Sequence, residues 1–528
     1  MKSFLRIVFL GILVLSFIKC AKRGFIDGGT KDTIAPVLKM SSPSNFSTNF
    51  NGKEIKLYFD EYVKLKDVNK QLIVSPPMDP MPEVLPTMAS KYITIKIKDT
   101  LKENTTYSFN FGQSIQDHNE GNPMKQFRFV MSTGSYVDSL KLGGKVKDAF
   151  LQETEKFVTV LLYERNETYN DSAVYKKVPD YVTNTLDLGN DFVFENVKPG
   201  KYQLIALKDK NNNFKFDPKT DMIGFHPEVI QIPNDTLYEV ELFKEELPFK
   251  AINVSLPNSN KAWIGYEGKT KKQTVEIFDQ NEWKTAITSK HPSKDSLEVW
   301  FPKLTSDSLK LRIVNQKEFA LAVKKLKKDT LNIAAEKEGN LLFGKPIFIK
   351  HSTPIQNIDI SKFILTDKDS TVIQFNHQMD AWNQKIQIDF IAEERQKYQL
   401  QLLPGAITNM FETSNDSLKF QFSTRAKTDY GNLKLILKNV KSYPLIVQLT
   451  DDKGTTKHEL IVNSPEANFP WIDPYKYTIR FIYDINKNGI WDTGNFLQKK
   501  QPEEVLYYPK TIDVRQNWDV EQAIDLGG

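Results

Sequence analysis

The sequence predicts an all-β chain of tandem β-sandwiches, and three observations carry that reading. Apolar residues recur with period two along most of the chain, turn-forming clusters interrupt them at short intervals, and 20 Tyr with 34 Phe supply side chains that suit a pleated surface. Ile93, Ile95 and Ile97 alternate with Thr94, Lys96 and Lys98, while Tyr107, Phe109 and Phe111 alternate with Ser108 and Asn110. One greasy face and one wet face are what half-buried strands of antiparallel sheets require. Asn119-Glu120-Gly121-Asn122, Lys198-Pro199-Gly200 and Asp451-Asp452-Lys453-Gly454 are the turns between such strands.

At the start, Lys2 and Arg6 precede an apolar run from Ile7 to Ile18, and Cys20 follows after Lys19. The run is shorter than the roughly 20 residues a spanning helix needs, so residues 1–19 are expected to be a signal peptide and Cys20 a lipidation site. A plain secretory signal and an uncleaved N-terminal anchor are the alternatives. Cys20 is the single cysteine of the chain. Intrachain disulfides are therefore excluded, and stability must come from packed cores.

The chain has 71 basic and 66 acidic residues, and three of the basic ones, Lys2, Arg6 and Lys19, belong to the segment expected to be removed. So balanced a charge argues against nucleic acid, whose backbone calls for a basic stripe. A length of 528 residues exceeds what one core supports and predicts three to five domains.

Two internal echoes divide the chain. Glu103, Tyr107, Phe129, Ser132 and Thr133 recur at an offset of 291 as Glu394, Tyr398, Phe420, Ser423 and Thr424. Phe194, Pro199, Lys201, Tyr202, Asp209, Asn211, Asn213 and Asp217 recur at an offset of 275 as Phe469, Pro474, Lys476, Tyr477, Asp484, Asn486, Asn488 and Asp492. The difference of 16 residues is expected in a longer loop of the first copy, around Glu164 to Asp187. An ordered pair of modules is thus used twice. The expected division is a linker at 20–34, modules at 35–134 and 135–245, a β-rich domain of unassigned type at 246–339, and the second pair at 340–425 and 426–528.

In the first module, Pro36 and Ser42-Pro43 lead to a strand at Ile55–Phe59 followed by Asp60-Glu61-Tyr62-Val63. Asn104-Thr105-Thr106-Tyr107, Ile115-Gln116-Asp117 before Gly121-Asn122, and the closing Phe127–Gly134 complete the order. This order resembles the bacterial Ig-like domain of the S-layer-protein type. The path Leu142-Gly143-Gly144-Lys145-Val146, Val158–Tyr163, Phe194–Tyr202 resembles a carboxypeptidase-regulatory or prealbumin-like β-sandwich. With Gly28-Gly29-Thr30-Lys31-Asp32 close after Cys20, the whole is similar to Bacteroidota envelope lipoproteins. The resemblance implies the outer membrane, without deciding between its periplasmic face and the cell surface; Lys22 and Arg23 after the cysteine favour the periplasmic side.

The strongest local signal for chemistry is a pair of Asx-rich loops. Asp484, Asn486, Asn488 and Asp492 place side-chain oxygens at loop positions 1, 3, 5 and 9, with Gly489 at position 6. Oxygens so spaced wrap one hard cation, so calcium is the expected cofactor if there is one. The bidentate Glu is missing, since position 12 is Asn495. The first loop offers Asp209, Asn211, Asn213 and Asp217, with Phe214 in place of the glycine. Metal-free turns are the alternative, because Asn and Asp also bond to their own backbone.

Catalytic constellations are absent from the sequence. His118, His226, His291, His351, His377 and His458 stand singly, and there is no His-Glu-x-x-His, no Gly-x-Ser-x-Gly and no phosphate-binding loop. Trp263, Trp283 and Trp300 are candidates for a glycan platform, against the reading that strand tryptophans are core. The expected function is that of a non-catalytic outer-membrane lipoprotein, a binding or spacing scaffold accessory to an envelope complex. A glycan-binding lipoprotein and a calcium-stiffened adhesin are the alternatives. The expected partners are the membrane, through the lipid, and envelope proteins.

Overall fold

A computed structural model describes residues 31–185, 189–270, 272–302, 308–314, 316–322, 326–327 and 329–527. The expected signal peptide and Cys20 lie outside the described residues. The chain is nearly all β, and it divides into two compact units, Met1–Ser139 and Leu140–Gly528.

The first unit is one sandwich. Its larger sheet runs Leu38–Ser42, Glu54–Leu65, Ser90–Lys96, Glu83–Leu85, and its smaller one Ile73–Ser75, Thr106–Asn110, Arg128–Ser132. Ile55, Leu57, Ile93, Ile95, Phe109 and Phe129 meet between the sheets. The Ile55–Phe59 strand continues through Asp60-Glu61-Tyr62 as far as Leu65. After a register shift between Tyr58 and Val63 it keeps Ser90 on one edge, while its other edge passes from Leu38–Ser42 to Ile115–Asp117. The turn at Gly121-Asn122 is held from below by the buried Asp117 carboxylate, which accepts the amides of Glu120, Gly121 and Asn122 at 2.6, 3.1 and 2.6 Å. Burial alone would raise that carboxyl, but the three amide bonds outweigh it and hold the group below the usual carboxylate range.

Among its described residues the second unit shows four further two-sheet sandwiches, here numbered second to fifth. The second pairs Tyr181–Asn184, Thr159–Glu164, Gly200–Lys208, Met222–Phe225 and Ile230–Ile232 against Asp191–Val197, Leu140–Asp148, Leu237–Leu242. The fifth repeats that order with Thr456–Val462, Leu445–Thr450, Tyr475–Tyr483, Val505–Tyr507 and Ile512–Val514 against Glu466–Ile472, Gly431–Lys438, Asp519–Asp525. In both, the last strand lies parallel to the first, whereas alternation alone led us to expect antiparallel sheets throughout. The reason is the route: the last strand arrives from the opposite sheet and enters in the direction of the first.

The third sandwich sets Lys250–Asn258, Lys261–Glu267, Ser296–Trp300, Ile287–Lys290 against Glu282–Thr285, Val275–Asp279, Ser308–Ile313, Glu318–Ala322. The fourth starts at Ile333–Ala335, which pairs with Ile347–His351, and its second sheet orders Gly339–Asn340, Leu418–Ser423, Lys397–Leu402, Phe363–Thr366.

The echoes are working parts. Tyr107 Oη accepts the Lys102 amide at 2.9 Å, and Thr133 Oγ1 accepts the Thr105 amide at 2.9 Å. At the same offset, Tyr398 Oη accepts the Glu393 amide at 2.7 Å, and Thr424 Oγ1 accepts the Gln396 amide at 3.0 Å. Likewise Tyr202 donates to Lys198 O at 3.1 Å and Tyr477 to Asp473 O at 2.7 Å. Each phenol ties a strand to the turn before it, so a buried hydroxyl is satisfied and the corner is fixed.

Candidate functional site

The two Asx loops follow the Gly200–Lys208 and Tyr475–Tyr483 strands and close in the same way. Asp209 Oδ2 accepts the Phe214 amide at 2.7 Å, and Asp484 Oδ2 accepts the Gly489 amide at 2.8 Å. Phe214 and Gly489 both take a left-handed backbone, at φ 57° and 79°, which glycine adopts freely and phenylalanine does not. Asn213 Oδ1 accepts the Lys215 amide and Asn488 Oδ1 the Ile490 amide, each at 2.9 Å. Asn486 and Asn488 both donate to Asp492 Oδ2, the latter at 2.8 Å. Asp217 Oδ1 accepts the Lys219 amide at 2.9 Å, and Asn211 donates its amide to Asp209 Oδ1 at 3.0 Å. All eight predicted residues thus serve the two turns themselves.

Beneath the second loop lies a residue the sequence pattern did not single out. Buried Glu503 accepts the amides of Ile485 and Asp492 at 2.8 and 3.0 Å, one with each carboxylate oxygen. Asp221 does the corresponding work in the first loop, accepting the amides of Lys210 and Asp217 at 3.2 and 2.9 Å. Among the described residues, no three His, Cys, Asp or Glu side chains converge as a metal cage.

The second loop continues into a docking segment. Phe496 is fully buried, yet it lies outside the core of its own sandwich and meets Phe225 of the second one edge-on, with ring centroids 5.3 Å apart. Its amide donates to Glu245 Oε1 at 2.6 Å. Thr493 donates to Lys244 O at 2.7 Å, Gln501 to Phe225 O at 3.0 Å, and Tyr507 to Phe150 O at 2.7 Å. Trp491 packs on Phe150 at 4.7 Å. The extra residues of the first copy belong here too. They fold over the first loop, where Val174 O accepts the Phe216 amide at 2.8 Å, and Asp171 pairs with Lys499 at 2.7 Å.

The tryptophans do not form one platform. Trp300 is 0% exposed, donating to Ser289 Oγ at 3.0 Å, and Phe411 of the fourth sandwich covers it. It is therefore core, because the fourth sandwich docks on the strand that carries it. Trp263 is half-buried with Lys294 Nζ 4.5 Å from its ring centre, and Trp283 sits on the other sheet under Arg312 at 4.2 Å. Around Trp300 runs a buried polar junction: Lys261 pairs with Asp329 at 2.5 Å and Glu298 at 3.5 Å, and Gln384 of the fourth sandwich donates to Ser289 Oγ at 2.7 Å. The fourth and fifth sandwiches are joined by Phe343 against Tyr430 and Trp471, at 5.7 and 5.5 Å, and by the Arg425–Asp473 ion pair.

Among curated proteins none matches. The chain is similar to solved structures at low overall agreement. They include the surface layer protein SbsC, domains 1–6 (12% identity, 91% of this chain and 67% of that one, TM-score 0.16). The Bacillus cereus major pilin subunit BcpA is another (10%, 73% and 99%, 0.13), as is the Bacteroides ovatus mixed-linkage glucan utilization locus protein SGBP-B (8%, 72% and 94%, 0.17). Residues 32–133, the span of the first sandwich, match the family described as the bacterial Ig-like domain.

Proposed function

We propose that the protein is a non-catalytic scaffold, lipid-anchored through Cys20 at the outer membrane, that holds partners as an accessory of an envelope complex. The observation that carries this reading is the use made of the buried polar groups. Glu245, Glu298, Lys261, Gln384 and Glu503 are spent on junctions between sandwiches and on closing loops. Such groups rigidify a frame when they are satisfied, which is the use to which these five are put.

Affinity capture of the full-length protein in mild detergent is the test. A constant set of membrane proteins is the expected result, and recovery of the protein alone would overturn the accessory role. Labelling with radioactive palmitate tests the anchor separately: label is expected in the native chain and lost in Cys20→Ala.

A further inference from the structure

The fourth sandwich carries a groove on the outer face of the sheet built from Gly339–Asn340, Leu418–Ser423, Lys397–Leu402 and Phe363–Thr366. Tyr398, Leu400, Phe420 and Phe422 point into the core, so the residues between them point out. The register sets Thr366 opposite Gln399, Gln399 opposite Gln421, and Lys397 opposite Ser423. Two amides and two hydroxyls are thereby lined up across three strands, with an ammonium beside them. The groove has a volume of about 580 Å³, inside the roughly 300–1,000 Å³ usual for small-ligand sites.

What distinguishes these side chains is that they are unspent. Among the described residues, Gln399, Gln421, Ser423 and Lys397 make no side-chain hydrogen bond or ion pair. The acid of the lining, Asp367, is occupied, accepting the amides of Asp369 and Thr371 at 2.9 and 2.8 Å, and Glu338 at the edge accepts the Gln421 backbone amide at 3.3 Å. Lys368 adds a second cation. Each glutamine offers two donors and an acceptor, and lysine offers three donors. No aromatic face is presented, since Tyr398 and Phe422 are buried. A ligand rich in hydrogen-bonding groups suits this lining, and Lys397 and Lys368 favour one that also carries negative charge.

We propose that this groove binds an anionic, hydroxyl-rich oligosaccharide, with the carboxylate or phosphate of the sugar on Lys397 and its hydroxyls on Gln399, Gln421 and Ser423. The assignment deepens the scaffold reading by naming what one module holds, and it rests on that reading.

Titration calorimetry of the full-length protein in detergent tests it, with tri-galacturonate as the uronate probe, glucose 6-phosphate as the phosphate-bearing probe, and maltotriose as the neutral one. Binding of either anionic probe is expected, with maltotriose at least about ten-fold weaker; which anionic probe binds distinguishes the two sources of charge. Lys397→Gln, and separately the pair Gln399→Ala with Gln421→Ala, are expected to weaken binding about ten-fold, the loss of one to two hydrogen bonds, one of them charged. Both variants alter outward-facing side chains, so an unchanged thermal midpoint is expected and confirms the fold. No binding of either anionic probe, equal binding of maltotriose, or binding indifferent to both variants would overturn the assignment. If membrane partners are still captured while the probes fail, the groove assignment alone falls; if the probes bind and no partner is captured, the accessory role alone falls.

Discussion

The Phe496 amide donates to Glu245 Oε1 at 2.6 Å across 251 residues of chain. This bond and the Phe225–Phe496 ring contact join the second and fifth sandwiches, which the sequence places at opposite ends of the second unit. The third and fourth sandwiches are joined through Gln384, and the fourth and fifth through Phe343. With the Lys219–Glu267 ion pair at 2.8 Å between the second and third, contacts lead from the second sandwich through the third, fourth and fifth and back to it. A simple string, the picture tandem modules suggest, would need none of the 2–5 contacts. Burial raises the Glu245 carboxyl above its usual range, and the Phe496 amide and Lys244 pull it back only in part.

Phe496→Ala should therefore destabilise the second unit by about 3–5 kcal/mol, as truncation of a buried phenylalanine does. Gly494→Ala should act in the same direction by a different route. A Cβ there would lie 2.6 Å from Phe243 Cζ and 2.8 Å from Lys500 O, so the docking segment would have to move. Denaturant unfolding with hydrogen exchange at Phe225 and Phe243 is the measurement. Unchanged protection of both in both variants would contradict the docking role.

Phe214 and Gly489 give a prediction of opposite sign within one loop type. A non-glycine residue in the left-handed region costs roughly 1–2 kcal/mol, so Phe214→Gly should recover part of that and raise the thermal midpoint. The bond from the Phe216 amide to Val174 O at 2.8 Å does not involve the Phe214 side chain and should hold the loop in place. Gly489→Ala should lower stability by about 1 kcal/mol, through its φ of 79° and through a Cβ 3.1 Å from Ile461 Cδ1. Calorimetric scans of the two variants, with opposite shifts expected, check both.

Much of this frame could be read from residues in order, and what could not has physical causes. Alternation finds Ile93, Ile95 and Phe109 because the side-chain period of a strand is local. The echoes find Tyr107 and Tyr398 because a tied corner needs the same few residues at the same spacing. Alternation could not show that Leu237–Leu242 returns parallel to Leu140–Asp148, since parallel and antiparallel strands share one pattern. Nor does anything around Phe496 reveal that its pocket is built 251 residues earlier. Whether Trp300 is platform or core could not be read from its own strand, because its cover, Phe411 and Gln384, belongs to another sandwich. Glu503 fell outside the nine-residue loop pattern, and only the fold brings it beneath Ile485.

Acid should weaken the folded state through its histidines. Burial lowers the values of His226, His291, His351 and His458 below 6.5, the value of a free imidazole. His351 is the clearest: its Nδ1 lies 2.8 Å from Thr353 O, and its Nε2 is buried with no partner to receive a proton's charge. The unfolded chain therefore takes up protons that the folded one refuses. Stability from these groups is complete above pH about 6.5 and is lost progressively as pH falls from there toward their depressed folded values. Denaturant midpoints measured from pH 8 to pH 5 should decline below 6.5, and His351→Gln should flatten part of the decline. A profile of the variant parallel to that of the native chain would remove His351 from this account.

The Asp484 carboxylate separates the two readings of the Asx loops. It is buried and accepts the amides of Asn488 and Gly489 at 3.1 and 2.8 Å, so hydrogen bonds to the backbone close the turn. Replacing it by alanine leaves two backbone amides without their charged acceptor, a loss of about 2–4 kcal/mol. If the loop is a hydrogen-bonded turn, Asp484→Ala should cost the same with millimolar calcium as with chelator, and the native midpoint should be equal in the two. A bound cation predicts otherwise, because a ligand at 100 times its Kd adds about 2.7 kcal/mol to the native protein, and the variant would lose that addition in calcium alone. Asn486 and Asn488 now turn their amide nitrogens toward Asp492, so calcium would also require both to present oxygen there instead. Equal costs in the two buffers are the expected outcome.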